Sequence, residues 1–141
     1  TTALAVLRVA VPGLAFASAY TTGYAFGTRF ALAAPIEGTI ATVVFHDYDK
    51  EGLTKEIWLF SEQIAGTANN TAFAPTDEEI AFCVGVISIG TFYSADVNMV
   101  GIATPALYYI APRGRLYGQV VTRGADNIAA GAVPDFTMAV T

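Results

Sequence analysis

Two alternating runs joined by a polar link, within Thr39–Ser61 (TIATVVFHDYDKEGLTKEIWLFS), constrain this chain more than any other stretch. In Thr39–Asp47, Ala41, Val43 and Phe45 point one way and Ile40, Thr42, Val44 and His46 the other. In Lys55–Phe60, Ile57 and Leu59 oppose Glu56, Trp58 and Phe60. Period-two alternation of β-branched and aromatic residues suits strands packed on a pleated surface. The link YDKEGLT contains one Gly and is short enough to return the chain antiparallel. The pattern predicts a hairpin at the centre of a β-domain.

The chain has 141 residues, the length of one domain. A domain of that size removes roughly 70% of its unfolded surface from water. Only 13% of the residues are charged and 54% are hydrophobic, against about 25% charged in typical soluble domains. Much of the apolar total is Ala, which buries little area, so the composition predicts assembly with other chains rather than an oversized core. A net charge of −5, with five Arg and two Lys scattered along the chain, excludes a nucleic-acid grip, which needs clustered cations. The single Cys83 has no intrachain disulfide partner and reads as a buried small hydrophobe. Arg8 and Pro12 interrupt the apolar N-terminal stretch, which argues against a membrane span or a secretory leader there.

Thr2–Val11 alternates as a strand and ends at Pro12-Gly13; Leu14–Ala19 and Gly27–Leu32 are weaker extended segments. Residues 1–37 therefore read either as sandwich strands of the same domain or as an extended arm lying on a neighbouring subunit, ahead of a core over 38–141. Glu62–Pro75 is a loop by its Gly, Asn and Pro content. Thr76-Asp77-Glu78-Glu79 is a T-x-x-E capping box, predicting one short helix near 77–82. Cys83–Ile89 is near-continuously apolar, as in a strand buried on both faces. Val97–Thr104, Leu107–Ile110, Arg115–Thr122 and Asp135–Val140 follow as short strands, with Gly124–Pro134 as a loop. Many short strands with regular turn signals predict an all-β antiparallel sandwich or barrel.

Taken in order, several of these residues resemble a known family. They are Asp47 and Asp49; Trp58-Leu59-Phe60-Ser61; Asn70 with Phe73; Asp77; Val84-Gly85-Val86-Ile87; and Leu116-Tyr117-Gly118 followed by Thr122-Arg123-Gly124. Over roughly Gly38 to Thr141 the chain resembles small tailed-phage virion proteins encoded near the major capsid gene and regarded as head decoration or auxiliary structural proteins. The first 37 residues match only loosely, ending in Gly27-Thr28. The resemblance implies a β-sandwich of jelly-roll type, a homotrimer, docking on the major capsid protein at the outer capsid surface, and synthesis in the host cytoplasm. It implies no catalytic residue.

Each candidate for chemistry has a plainer explanation. Asp47-x-Asp49-x-Glu51-Gly52 begins like a calcium loop, but the twelfth position, which should be a bidentate Glu, is Trp58; an acidic turn is the better reading. His46 is the only histidine and stands beside Asp47, with no nucleophile elbow anywhere. One His and one Cys far apart fall short of a zinc site. Glu78-Glu79 is accounted for by helix capping, and Glu37, Glu56 and Glu62 by exposed positions, leaving no carboxylate pair for glycoside hydrolysis. No catalytic, cofactor-binding or metal residue is therefore assigned, and no enzyme is expected. Tyr20, Tyr24, Tyr48, Tyr93, Tyr108, Tyr109 and Tyr117 suit either an interface or a sugar-stacking platform. Arg113, Arg115 and Arg123 flank one strand, where they meet either a neighbouring subunit's acids or solvent. Asn69-Asn70-Thr71 is a formal glycosylation sequon. The sequence thus points first to a capsid-decorating protein and second to a carbohydrate- or receptor-binding sandwich.

Overall fold

The structure, a computed structural model, describes residues 5–141. Ten strands and one helical turn make it up. The strands are β1 (Ala5–Ala10), β2 (Phe30–Ala33), β3 (Glu37–Asp47), β4 (Lys55–Phe60), β5 (Cys83–Ile89), β6 (Phe92–Ser94), β7 (Met99–Ala103), β8 (Leu107–Ile110), β9 (Arg115–Thr122) and β10 (Asp135–Val140); the helix is α1 (Asp77–Ile80). One sheet runs β1-β10-β3-β7-β6, with β8 pairing the first half of β3, and the other runs β2-β9-β4-β5. Every pairing is antiparallel.

The pairs β1/β10, β2/β9, β3/β7 and β4/β5 alternate between the two sheets. That nesting of early strands with late ones is the jelly roll. Residues 5–37 are therefore not a free arm: β1 closes one sheet edge and β2 the other.

The central hairpin does not form. Thr39–Asp47 and Lys55–Phe60 are both strands, but β3 and β4 lie in opposite sheets and the link crosses between them. A two-residue turn would have forced pairing. The longer link instead folds around Asp47, and the apolar faces of the two strands meet across the sandwich. The phase of β3 also differs from strict alternation. Thr42 faces Ala139 while Ile40 faces Val140, so Ala41 is an extra residue in the ladder. This bulge brings Ile40 inward together with Val43 and Phe45.

The strand buried on both faces is β9, not β5. Leu116, Gly118 and Val120 face the main core, while Tyr117, Gln119 and Val121 are buried on the opposite face. There Tyr117 joins Phe60 and Ile64 in a second apolar cluster, flanked by Trp58, Phe73 and Cys83. Cys83 is thus half-buried rather than fully enclosed. β5 is an edge strand with Ile87 and Ile89 inward and Val86 exposed.

Remaining departures are local. Leu14–Ala19 is irregular, β2 begins at Phe30 rather than Gly27, and β6 was not anticipated. The helix stops at Ile80, with the capping box formed in both directions between Thr76 and Glu79. The first residues of the expected strand Thr2–Val11 lie outside those described.

One aromatic contact spans the two sheets and a second lies within one of them. Phe136 of β10 stacks on Phe45 of β3 at 6.5 Å and meets Phe30 of β2 edge-on at 5.6 Å. Gly118 makes room for the Phe30 ring over its own sheet: a Cβ there would lie 2.4 Å from the Trp58 carbonyl oxygen and 2.7 Å from the Phe30 ring. Phe136→Ala should lower the unfolding free energy by about 3–5 kcal/mol, read from urea denaturation, because the side chain is fully buried and its cavity cannot collapse between two sheets.

Candidate functional site

The acidic turn is a backbone cap. Asp47, buried at the end of β3, accepts hydrogen bonds from the amides of Asp49 (3.0 Å), Glu51 (3.0 Å) and Gly52 (2.8 Å). Asp49 accepts from the amide of Ala129 and Glu51 from that of Asn127, so the turn also holds the loop after β9. These carboxylates are occupied by N–H groups rather than converging on a common point. Among the described residues no group of three His, Cys, Asp or Glu is arranged to hold a metal ion.

His46 does not act with Asp47, which points to the opposite side of β3. Its Nδ1 lies 2.6 Å from Asp135 Oδ1, poorly aligned for a hydrogen bond, and its ring stacks near Tyr48 at 6.3 Å. Arg8 Nη2 donates to Asp135 Oδ2 at 2.8 Å and the Tyr48 hydroxyl donates to the same oxygen at 3.1 Å. The cluster spans β1, β10 and β3 on the outer face of their sheet and ties the edge strand β1 down. Burial pushes the Asp135 carboxyl up, but the hydrogen bonds from Arg8 and Tyr48, with the fields of His46 and Arg8, outweigh it and hold the carboxyl below the usual range.

An open hollow of about 260 Å³ lies beside α1, lined by Glu62, Gln63, Ile64, Glu78, Glu79 and Phe82. Two of its three acids are engaged. Glu79 accepts from the amides of Thr76 (2.9 Å) and Ala65 (2.6 Å), and the Thr76 bond leads in lowering its carboxyl below the ordinary value. Glu62 pairs with Arg113 at 2.7 Å. Arg123 pairs with Glu56 at 2.9 Å. Two of the three candidate interface arginines are thus held within the chain.

The tyrosines divide. Tyr20, Tyr109 and Tyr117 are buried, while Tyr48, Tyr93 and Tyr108 are exposed. Trp58 lies half-buried on the outer face of β4, edge-on to Phe73 at 5.1 Å, with its Nε1 donating to Glu56. A sugar platform on Trp58 or the Tyr108/Tyr109 pair therefore loses two of its three rings. Tyr108 alone is presented, its hydroxyl donating to Glu37 at 2.7 Å.

Apolar side chains are also exposed where an edge of one sheet meets the other sheet. β5 and β8 approach each other along one margin of the sandwich, where Leu107 packs over Gly85; a Cβ on Gly85 would sit 2.7 Å from both Leu107 methyl carbons. Val86, Phe82, Tyr108 and Ile110 on these strands and the turn before them are 42–56% exposed. The outer edge of β5 pairs with no strand among the described residues. From Phe82 to Ala95 no residue is charged. Unpaired strand edges normally carry a charge, a proline or a bulge that blocks further pairing. This edge has a bulge only at its start, between Cys83 and Gly85.

Sequence reading missed the groups that hold the loops. Gln119, fully buried, donates to the carbonyls of Gly27 and Thr67 and accepts from the amide of Thr67. Asn69, the sequon residue, accepts from the Tyr20 hydroxyl and the Gly27 amide, both at 2.8 Å. It also missed a buried ion pair between Lys55 and Asp126. A signal for that pair was present: Lys55 shares the parity of Ile57 and Leu59, the inward residues of β4.

A pH effect follows from Asp135. A carboxyl titrating below its unfolded value, near 4 for Asp, contributes stability that is complete above that value and lost as pH falls through the folded pKa. Thermal unfolding followed from neutral pH downward should show Asp135→Asn less stable than the parent above about pH 4, with the difference shrinking below it.

No protein-family model matches the chain, and neither curated proteins nor solved structures contain a significant match to it.

Proposed function

We propose that this chain is a structural virion protein that decorates or cements the outside of a phage capsid, assembling with copies of itself, as a homotrimer, and docking on the major capsid protein. The observation that carries the reading is the unpaired edge of β5, in a stretch without charge from Phe82 to Ala95, with Phe82 and Val86 exposed on it and Tyr108 and Ile110 exposed on β8, which approaches it. Together with the low charge content, it describes a surface made to be covered. The jelly roll supports the same reading as a rigid frame that presents such margins in fixed geometry. On a lattice, a weak contact repeated by symmetry becomes durable through multivalency. The second reading, a carbohydrate- or receptor-binding sandwich, keeps support from exposed Tyr48, Tyr93 and Tyr108, the last beside Glu37.

Light scattering of the purified chain across dilution should give the mass of a trimer. Sedimentation with heads assembled from the neighbouring major capsid protein should show saturable binding. Val86→Lys adds a charge to the exposed edge at little cost to folding, within about 0.5 kcal/mol, and should weaken assembly or head binding at least tenfold. A monomer at every concentration that also fails to sediment with heads would overturn the proposal. Sugar binding abolished by Tyr108→Ala would replace it with the second reading.

A further inference from the structure

Lys55 opens β4, and Asp126 stands in the loop after β9, 71 positions later. The two side chains meet in the interior with relative exposures of 3% and 1%, Nζ lying 2.6 Å from Oδ2. Aromatic rings wall the amine: Nζ is 4.9 Å from the centre of Phe26 and 6.0 Å from that of Phe45. The Leu53 carbonyl accepts from Nζ at 2.8 Å. The hydroxyl of Thr122 donates to the other carboxylate oxygen, Oδ1, in a short hydrogen bond. Glu51 lies alongside, accepting from the amide of Asn127 next to Asp126 and feeling the charges of both Asp126 and Lys55. An amine, a carboxyl group and a hydrogen-bond donor on the carboxyl oxygen are thus held together in a water-poor, ring-lined site.

We propose that Lys55 and Asp126 condense to form an intramolecular amide bond. The reaction begins with one proton passing from Nζ to Oδ2 across the 2.6 Å contact, which leaves an amine beside a carboxylic acid. The neutral amine then attacks Cγ of the carboxylic acid, its nucleophilicity raised by desolvation and its approach fixed by the fold. Thr122 stabilises the negative charge that develops on Oδ1, as an oxyanion-hole donor does. Nζ–Cγ forms, the Cγ–Oδ2 bond breaks, and Oδ2 departs with two protons from nitrogen as one molecule of water. No oxidant, cofactor or second substrate enters the balance. The bond would join the start of β4 to the loop after β9, so that the two could not separate on unfolding.

Intact-mass spectrometry of the purified wild-type chain, unfolded before measurement, should show a deficit of one water from the mass calculated for the sequence. Tandem spectra should locate it in a branched peptide joining Lys55 and Asp126, with trypsin failing to cut after Lys55. Lys55→Met and Asp126→Ala should each restore the full calculated mass. The wild-type measurement is decisive even if those variants fold poorly. Full mass, with Lys55 labelled by an amine-reactive reagent after unfolding as readily as Lys50, would overturn the proposal and leave a buried ion pair. So would a deficit that maps to any other residues.

Discussion

The contact between Phe136, Phe45 and Phe30 is the joint on which both sheets depend. Phe136 belongs to the last strand, Phe45 to the first half of the chain and Phe30 to the shorter edge strand of the opposite sheet. β2 and β3 are neighbours in sequence but lie in opposite sheets, β10 comes about ninety residues later, and neither sheet can bury its inner face alone. The jelly-roll nesting has the same character, since β1 waits for β10 and β2 for β9. Loop-closure entropy must be met before such contacts return any stability, so folding is cooperative and slow relative to a fold built from local hairpins.

That dependence on distant partners explains what the sequence discloses. Strands were legible wherever period-two alternation ran beside turn residues: β8, β9 and β10 have the expected bounds, and the Thr76–Glu79 capping box formed as read. Pairing was not legible. Thr39–Asp47 and Lys55–Phe60 look like hairpin partners because their link is short and polar, yet the choice between pairing and crossing is made by which apolar faces meet across the core. The apolar text of β5 and β9 is also similar, but β5 is an edge and β9 is central. Only the loops laid over the outer face of β9 distinguish them, and those loops are held by Gln119 and Asn69, whose partners lie far away in sequence.

The polar residues of the interior form a second level of organisation. With few charges available, this chain uses single side chains to answer several backbone groups at once. Asp47 takes three amides and Gln119 makes three bonds. Each sits at a point where irregular chain would otherwise bury unpaired N–H and C=O groups, which is costly. Candidate chemistry read from acids and amides in the sequence therefore resolved into loop anchoring at Asp47, Glu79 and Asn69. The same logic made Lys55–Asp126 hard to foresee: a lysine in strand parity with Ile57 and Leu59 shows that a charge is buried, but not which loop returns to meet it.

The sheet edges are unequal, and the inequality bears on function. β1 is fastened by Arg8 to Asp135 and carries a charge on its exposed face, while β2 and β6 have only four and three residues. β5 has seven residues, and no charge occurs anywhere between Phe82 and Ala95. Open edges of that length recruit further strands indiscriminately unless guarded, and three of the four edges here are short or charged. β5 is thus the one long edge with neither a charge nor a fastening contact, and the proposed contact with another chain rests on it rather than on the acidic turn or the Arg8–Asp135 cluster.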